Sequence, residues 1–461
     1  MPSFSLRTVA LLAVVSLLLV ACEDPADPAA EEVVAFVDVN VLPMDREAVL
    51  EEHTVIVEDE RITSVGPSAE IDIPDDAARV NGDGRYLMPG LAEMHGHIPG
   101  PDTPAYAENT LFLYVSNGVT TVRNMLGDSY HLELREQVEQ GELLGPTISA
   151  ASPWMSAEDA STEDEAEAFV REHAEEGFDL LKMGSVSPDV YGHTAETAHD
   201  VGIPFAGHIP PDVGLQRALD ADQASIDHFD RYVEFLVPVE ALSEAEDPGF
   251  FGSAVVLEAD RDRISEAVDK TVEAGTWNVP TLSIVEHLAS PEDPEEMIEW
   301  PEMQYMPQDV LDGWVEAKQA FHERDDFQPE AREELVDLRR ELLRELHAAG
   351  APIAFGSDAP QFFNVPGFSI HHEMEMMVDS GLTPYEVLAT ATRKPAEYEE
   401  TPEAFGTVAP NRRADLILLE ANPFDNIANL QERAGVMVRG EWLTDSHIQD
   451  RLDEIAEQVD E

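Results

Sequence analysis

One cysteine, Cys22, stands in the 461 residues, so no disulfide can form within the chain. Lysine is almost as scarce: Lys182, Lys270, Lys318 and Lys394 are the four present, and the other basic residues are arginines. Together Lys and Arg number 27 against 95 Asp and Glu, a formal net charge of -68. Without clustered basic side chains nothing can neutralise phosphates, which excludes a nucleic-acid partner and disfavours anionic headgroups. Abundant carboxylate with little lysine is also the composition of a protein selected for concentrated salt, because carboxylates hold water and cations while salt screens their repulsion. An acidic surface without ecological meaning has the same composition. The length exceeds one compact domain and predicts a large barrel-type domain with a smaller satellite.

The N-terminus reads as a processing signal rather than as fold. Arg7 gives a positive start, residues 9–20 form a short apolar run, and Leu19-Val20-Ala21-Cys22 ends it on small residues before the cysteine. This resembles a bacterial lipobox, which implies a signal peptide over 1–21, cleavage before Cys22 and a lipid on its thiol. A plain secretory peptide with an incidental cysteine is the alternative. Residues 22–32, rich in Pro, Ala, Asp and Glu, read as an acidic tether. The expected location is outside the cytoplasm, on the periplasmic or cell-surface side, with the membrane as a partner through the anchor.

Short β-branched runs at 33–41, 53–57 and 61–65 have counterparts at 414–419 and 435–438, closed by Trp442 and Leu443. They predict a small β-sandwich assembled from 33–86 and 406–445. Between them, 87–405 alternates apolar runs with amphipathic stretches, the signature of parallel β/α units. Eight strands are expected, at 87–94, 120–125, 147–150, 180–183, 204–207, 224–226, 279–284 and 353–355. The fold class is therefore α/β, a (β/α)8 TIM barrel with a terminal β-sandwich. The stretch 238–347 is longer than one helix needs and reads as an insertion over the barrel mouth, with a solvent-facing helix at 330–344. Residues 446–461 read as an acidic C-terminal helix.

Potential metal ligands fall at the ends of these strands. His95 and His97 close the first, and a spacing of two on extended chain turns both imidazoles to one side. His208, His228 and Asp358 close three later strands, whose ends converge on one mouth in a barrel. Any one histidine alone reads better as a structural residue; four of them with an aspartate, each closing a strand, read as a site. Lys182 closes the fourth strand in a chain that nearly avoids lysine. A free ammonium there would repel cations, whereas a carbamate formed with carbon dioxide would offer them anionic oxygens; a snorkelling or salt-bridged lysine is the alternative.

Leu87-Met88-Pro89-Gly90-Leu91 running into His95-Gly96-His97, then Lys182, His208, His228 and Ser357-Asp358, resemble the amidohydrolase superfamily. The likeness continues through Gly381-Leu382-Thr383-Pro384, Ala389-Thr390-Ala391-Thr392, Ala414-Asp415-Leu416, Asn422-Pro423 and Val438-Arg439-Gly440. Phe205-Ala206-Gly207-His208-Ile209-Pro210 with Gln223-Ala224-Ser225-Ile226-Asp227-His228 is similar to the imidazolonepropionase-related branch, which includes Xaa-Pro and related dipeptidases. The resemblance implies two divalent metal ions, zinc by expectation, with His95, His97 and Asp358 holding one, His208 and His228 the other, and carboxylated Lys182 between them. It further implies Asp358 as the proton shuttle. Substrate contacts are expected from Arg231, Tyr232, His371 and His372, and His131, His173, His193, His199, His287, His322 and His347 are expected at the surface. The implied activity is cleavage of a peptide-like amide in a small molecule or dipeptide. A hydrolase of cyclic amides or N-acyl amino acids, or a silent binding lipoprotein, stands as the alternative.

Overall fold

The computed structural model describes residues 33–245 and 247–459, so the expected signal peptide, the expected tether and Cys22 lie outside the described residues. Strands β1 (Val33–Val41), β2 (Leu50–Glu58), β3 (Arg61–Pro67), β4 (Ala78–Asn81) and β5 (Tyr86–Pro89) come first. The barrel strands follow: β6 (Leu91–Gly96), β7 (Val119–Asn124), β8 (Thr147–Met155), β9 (Leu180–Met183), β10 (Phe205–Gly207), β11 (Ser225–Asp227) and β12 (Trp277–Val279). Strands β13 (Leu416–Leu419), β14 (Arg433–Val438) and β15 (Glu441–Thr444) close the chain before the helix Asp445–Val459.

The terminal strands form one sheet in the order β15-β14-β13-β5-β1-β2-β3, with β4 also paired to β1. Its apolar residues, among them Phe36, Val55, Val57, Leu416 and Leu418, make a core of their own, as expected of a small sandwich built from both ends. The last helix lays Ile448, Leu452 and Ile455 against Phe112, Leu113 and Val115 of the helix Pro104–Ser116.

Barrel strands β6 to β12 pair in sequence order, each parallel to the next. Strands β6, β7 and β9 are buried along their whole length, covered on both faces as parallel barrel strands are, and so show no alternation of buried and exposed residues. Residues 353–355 supply the eighth position. Asn278 donates to the Pro352 carbonyl, Ala354 donates to the Asn278 carbonyl and Met94 donates to the Phe355 carbonyl, so the segment bonds to β12 on one side and β6 on the other and closes the barrel.

Three expectations change. The single strand expected over 87–94 is two, because Gly90 donates to the Asp415 carbonyl while Leu91 donates to that of Gly118, and the chain passes from one sheet to the other. A Cβ on Gly90 would lie 2.2 Å from Thr120 Oγ1, so only glycine makes this passage. The strand expected over 279–284 ends at Val279, and the apolar run continues as the helix Leu282–Ala289. The helix Pro329–Ala348 is not solvent-facing throughout: Leu335, Leu338, Leu342 and Leu346 sit in the main core. Within 238–347, this helix, Ile264–Ala274 and β12 are barrel elements; the excess lies in 238–263 and 290–328, where Met297, Met303, Met306 and Trp314 pack on Phe363 and Val365 after the eighth segment. Among the described residues no helix is long and apolar enough to cross a membrane.

Candidate metal centre

The six side chains singled out in the sequence meet at the C-terminal mouth of the barrel. The His97 ring reaches Asp358 with Nε2 2.7 Å from Oδ1, and His95 Nε2 lies 3.6 Å from the same oxygen. His228 approaches the other carboxylate oxygen at 3.6 Å. His95 and His228 have ring centroids 4.4 Å apart, and His228 stacks with His208 at 4.8 Å. Lys182 brings Nζ to 3.4 Å from His95 Nε2 and has no carboxylate in contact among the described residues.

Three of the four rings, those of His95, His208 and His228, are aimed by a partner, while His97 Nδ1 is buried with no partner among the described residues. His95 Nδ1 lies 2.8 Å from Asp227, and His208 Nδ1 lies 2.8 Å from Asp230. A carboxylate can only accept, so both rings donate from Nδ1 and turn Nε2 away from the carboxylate, the arrangement that orients imidazole toward a metal. His228 Nδ1 pairs with Thr281 Oγ1 at 2.7 Å. Asp227 is in turn held by Arg123, whose guanidinium also donates to the Met94 carbonyl, Ser225 and Tyr398. Glu93 ties the first and eighth strand positions together by accepting from the His95 and Ser357 backbone and the Ser357 hydroxyl.

Burial sets the charge states. It pushes Glu93 up to about 8 and pulls the imidazoles of His95 and His228 well below their ordinary value, keeping both neutral. It also lowers Lys182, although Asp227 and Asp358 oppose the change. Burial would raise Asp227, but Arg123 and Lys182 outweigh it and hold the carboxyl below its ordinary value. Neutral imidazoles and an adjacent carboxylate are suited to a divalent cation. His95, His97 and Asp358 each offer a ligand atom, all within 4.8 Å of one another.

The substrate contacts expected from sequence fare differently. Tyr232 is buried with its hydroxyl paired to Thr271 and Asn278, so it packs in the barrel wall and presents no group to the mouth. His371 faces Asn117 and Arg433, and Asn117 precedes β7 at the opposite end of the barrel from the ligands. Arg231 donates to the Ile209 carbonyl and pairs with Glu234. His372 is engaged on both ring nitrogens, by His287 at 3.2 Å and Glu302 at 3.1 Å. Of the histidines expected at the surface, His131 and His287 are buried: His131 reaches the Ile98 carbonyl in the loop after β6, and His287 packs between Trp300 and His372. The sequence reading did not single out Asp227, Asp230, Glu93 or Arg123. The signal available was Asp227-His228-Phe229-Asp230, two carboxylates flanking a candidate histidine.

The fold has solved counterparts. A candidate prolidase from Bifidobacterium longum superposes with a TM-score of 0.68 at 24% identity, over 92% of this chain and 99% of that one. A bottromycin amidohydrolase gives 0.69 at 21% over 95% and 94%, and a Xaa-Pro dipeptidase with bound methionine in its active site gives 0.65 at 20% over 89% and 100%. No curated protein sequence gives a match to the chain. The sequence profile of the amidohydrolase family matches residues 86–443, from the last strand before the barrel to the last strand of the terminal sheet. With its metal-type donors at the barrel mouth, the chain belongs to the amidohydrolase family and is a hydrolase acting on carbon–nitrogen bonds.

Proposed function

We propose that this chain cleaves the amide bond of dipeptides, Xaa-Pro or a related class, with two divalent metal ions, zinc at both positions. The observation that carries the reading is the convergence of His95, His97, Lys182, His208, His228 and Asp358, with Nδ1 of His95 and of His208 each held by a carboxylate behind the ring. His95, His97 and Asp358 would hold one ion and His208 and His228 the other. Such ions supply polarisation of a carbonyl oxygen and acidify a water. The buried Lys182 amine, neutral more readily than an exposed one, would condense with carbon dioxide and release one proton, giving a carbamate whose two oxygens face the donors. Asp358 takes the proton of the attacking water on its carboxylate and delivers it to the departing amine nitrogen, so the nitrogen leaves as a neutral group.

The dipeptide reading draws on the prolidase and Xaa-Pro dipeptidase among the similar structures. The similar structures also include an amidohydrolase named for bottromycin rather than for a dipeptide, so a second reading, a cyclic amide or N-acyl amino acid as substrate, stands beside the first. Export and a lipid at Cys22 complete the proposal and rest on the sequence of residues 1–32 alone.

One preparation tests these points. The full chain is expressed and fractionated, with membrane recovery expected and its loss expected in Cys22→Ala. The zinc-reconstituted protein is then assayed for amine release at high salt against dipeptides, N-acyl amino acids and lactams. Dipeptide cleavage that falls by at least about a thousandfold in Lys182→Ala and in Asp358→Ala is expected. Cleavage confined to N-acyl compounds or lactams selects the second reading, and silence across the library with zinc bound leaves a binding lipoprotein.

A further inference from the structure

Exposure at the centre is uneven. The side chains of His95 and His228 are 1% exposed and that of Asp358 5%, against 15% for His97 and 27% for His208. Anything reaching the donors therefore arrives over His97 and His208. Trp154 borders that approach. It stands opposite Lys182 in the β8–β9 register, its ring centroid is 5.0 Å from that of His208, and its face lies 5.8 Å from Lys182 Nζ.

His208 stacks on His228, and His228 meets Phe251 at 5.4 Å, so four rings stand in a row from Trp154 to Phe251. The two ends differ. Phe251 is half-buried against Phe250 and the Arg339 guanidinium, whereas Trp154 is exposed. At 36% exposure it is the one aromatic among the exposed large apolar side chains of the described residues. Its indole N–H has no acceptor among them either. The ring is held in place from below: a Cβ on Gly184 would lie 2.2 Å from Nε1, so the indole rests directly on that glycine backbone. An exposed indole beside the His208 ring, on the accessible edge of the donor set, marks a ligand contact rather than a packing residue.

We propose that Trp154 is a specificity-determining residue, the wall against which the substrate lays an apolar ring or branched side chain next to the scissile amide. The proposal deepens the dipeptidase reading and rests on it for the word substrate. An indole surface favours proline, leucine or phenylalanine over glycine, because it covers C–H surface that glycine lacks.

The test uses zinc-loaded wild type, Trp154→Phe and Trp154→Ala, with zinc content and thermal midpoint measured alongside. Calorimetric titration with L-proline, L-leucine, L-phenylalanine and glycine reads the subsite without turnover. Expected is at least about tenfold preference of wild type for the apolar amino acids over glycine, reduced to about threefold or less in Trp154→Ala and mostly restored in Trp154→Phe. Among dipeptides, the ratio of kcat/KM for apolar over glycine-containing substrates should fall by a similar factor, through KM more than kcat. Equal weakening toward glycine and proline, an unchanged ratio, or no amino-acid preference in wild type would overturn the proposal. A wild type that binds apolar amino acids through Trp154 yet cleaves no dipeptide would leave the subsite standing and remove the peptidase reading instead.

Discussion

Arg339 carries its charge into the core with no carboxylate in contact among the described residues. Its guanidinium donates to the carbonyls of His228, Pro280 and Thr281 and lies against the rings of Phe229 and Phe251. Burial lowers its pKa to about 10, so it remains charged at neutral pH. The carbonyls belong to the loops after β11 and β12, where His228, Phe229 and Thr281 all have left-handed backbone, with φ of 60°, 52° and 44°. Such conformations cost an L residue about 1–2 kcal/mol each, and a fork of donors across both loops is what holds them. Arg339→Met should therefore cost about 3 kcal/mol by leaving buried carbonyls without donors and, on the proposed metal reading, should lower retained zinc, since His228 and its partner Thr281 sit in those loops. Arg339→Lys, with one compact donor group in place of a fork, should recover only part. Urea unfolding and zinc per chain after dialysis check both; a Met variant as stable and as zinc-loaded as wild type would remove the argument. At this scale the sequence was most legible where chemistry coincided with a strand end, as at His95, His97, Lys182, His208, His228 and Asp358. It was silent on Asp227 and Arg123, which act on residues 132 and 104 positions away, and misleading for Tyr232, whose place beside a ligand hid a side chain turned into the barrel wall.

The helix Leu282–Ala289 shows how an element changes identity through a partner far along the chain. Pro280 cannot donate to a neighbouring strand, Thr281 turns the backbone, and the amides of Leu282 and Ser283 donate to the Glu373 carboxylate at 2.8 and 2.7 Å. Sequence pattern sees only the apolar run and reads a strand, because the group that satisfies the helix start lies 90 residues downstream of Ser283. The same limit merged β5 with β6: the run of apolar residues is continuous, and only the two different sheets that Gly90 and Leu91 bond to divide it. The parallel strands themselves were legible since burial on both faces leaves no alternation to misread. Glu373 also has a measurable consequence. Burial pushes its pKa up to about 7, with the two amides opposing and Glu286 adding to the rise. A folded pKa above the unfolded one means the proton is held more tightly in the native state, so this contribution is complete below about pH 4.5 and lost as pH rises through about 7. Glu373→Gln removes the titration. Its stability should fall less than that of wild type between about pH 5 and pH 8, by up to about 3 kcal/mol, as read from urea unfolding at each pH. Parallel curves for the two proteins would show that Glu373 does not titrate in that window.

Across the whole molecule, 95 carboxylates face 27 Lys and Arg, so most carboxylates have no cation to pair with, whatever the geometry. Many of the ion pairs present are local and partly exposed, such as Arg171 with Glu167 or Arg393 with Glu397, and each adds little. The dominant electrostatic quantity is then self-repulsion, which opposes the compact state because folding draws the charges together. Screening relieves it over a definite range: the Debye length falls from about 10 Å at 0.1 M salt to about 3 Å at 1 M. The thermal midpoint should therefore climb steeply from low salt and level off near about 1 M potassium chloride, once the screening length is shorter than the spacing of neighbouring carboxylates. Exclusion of a strongly hydrated salt from the surface acts differently and keeps growing with concentration. Potassium chloride and ammonium sulfate at matched ionic strength separate the two causes. Coincident early rises with a plateau only in chloride are expected if charge repulsion governs stability, and a midpoint unchanged between about 0.1 and 2 M chloride would mean that the acidic surface is not an adaptation to salt.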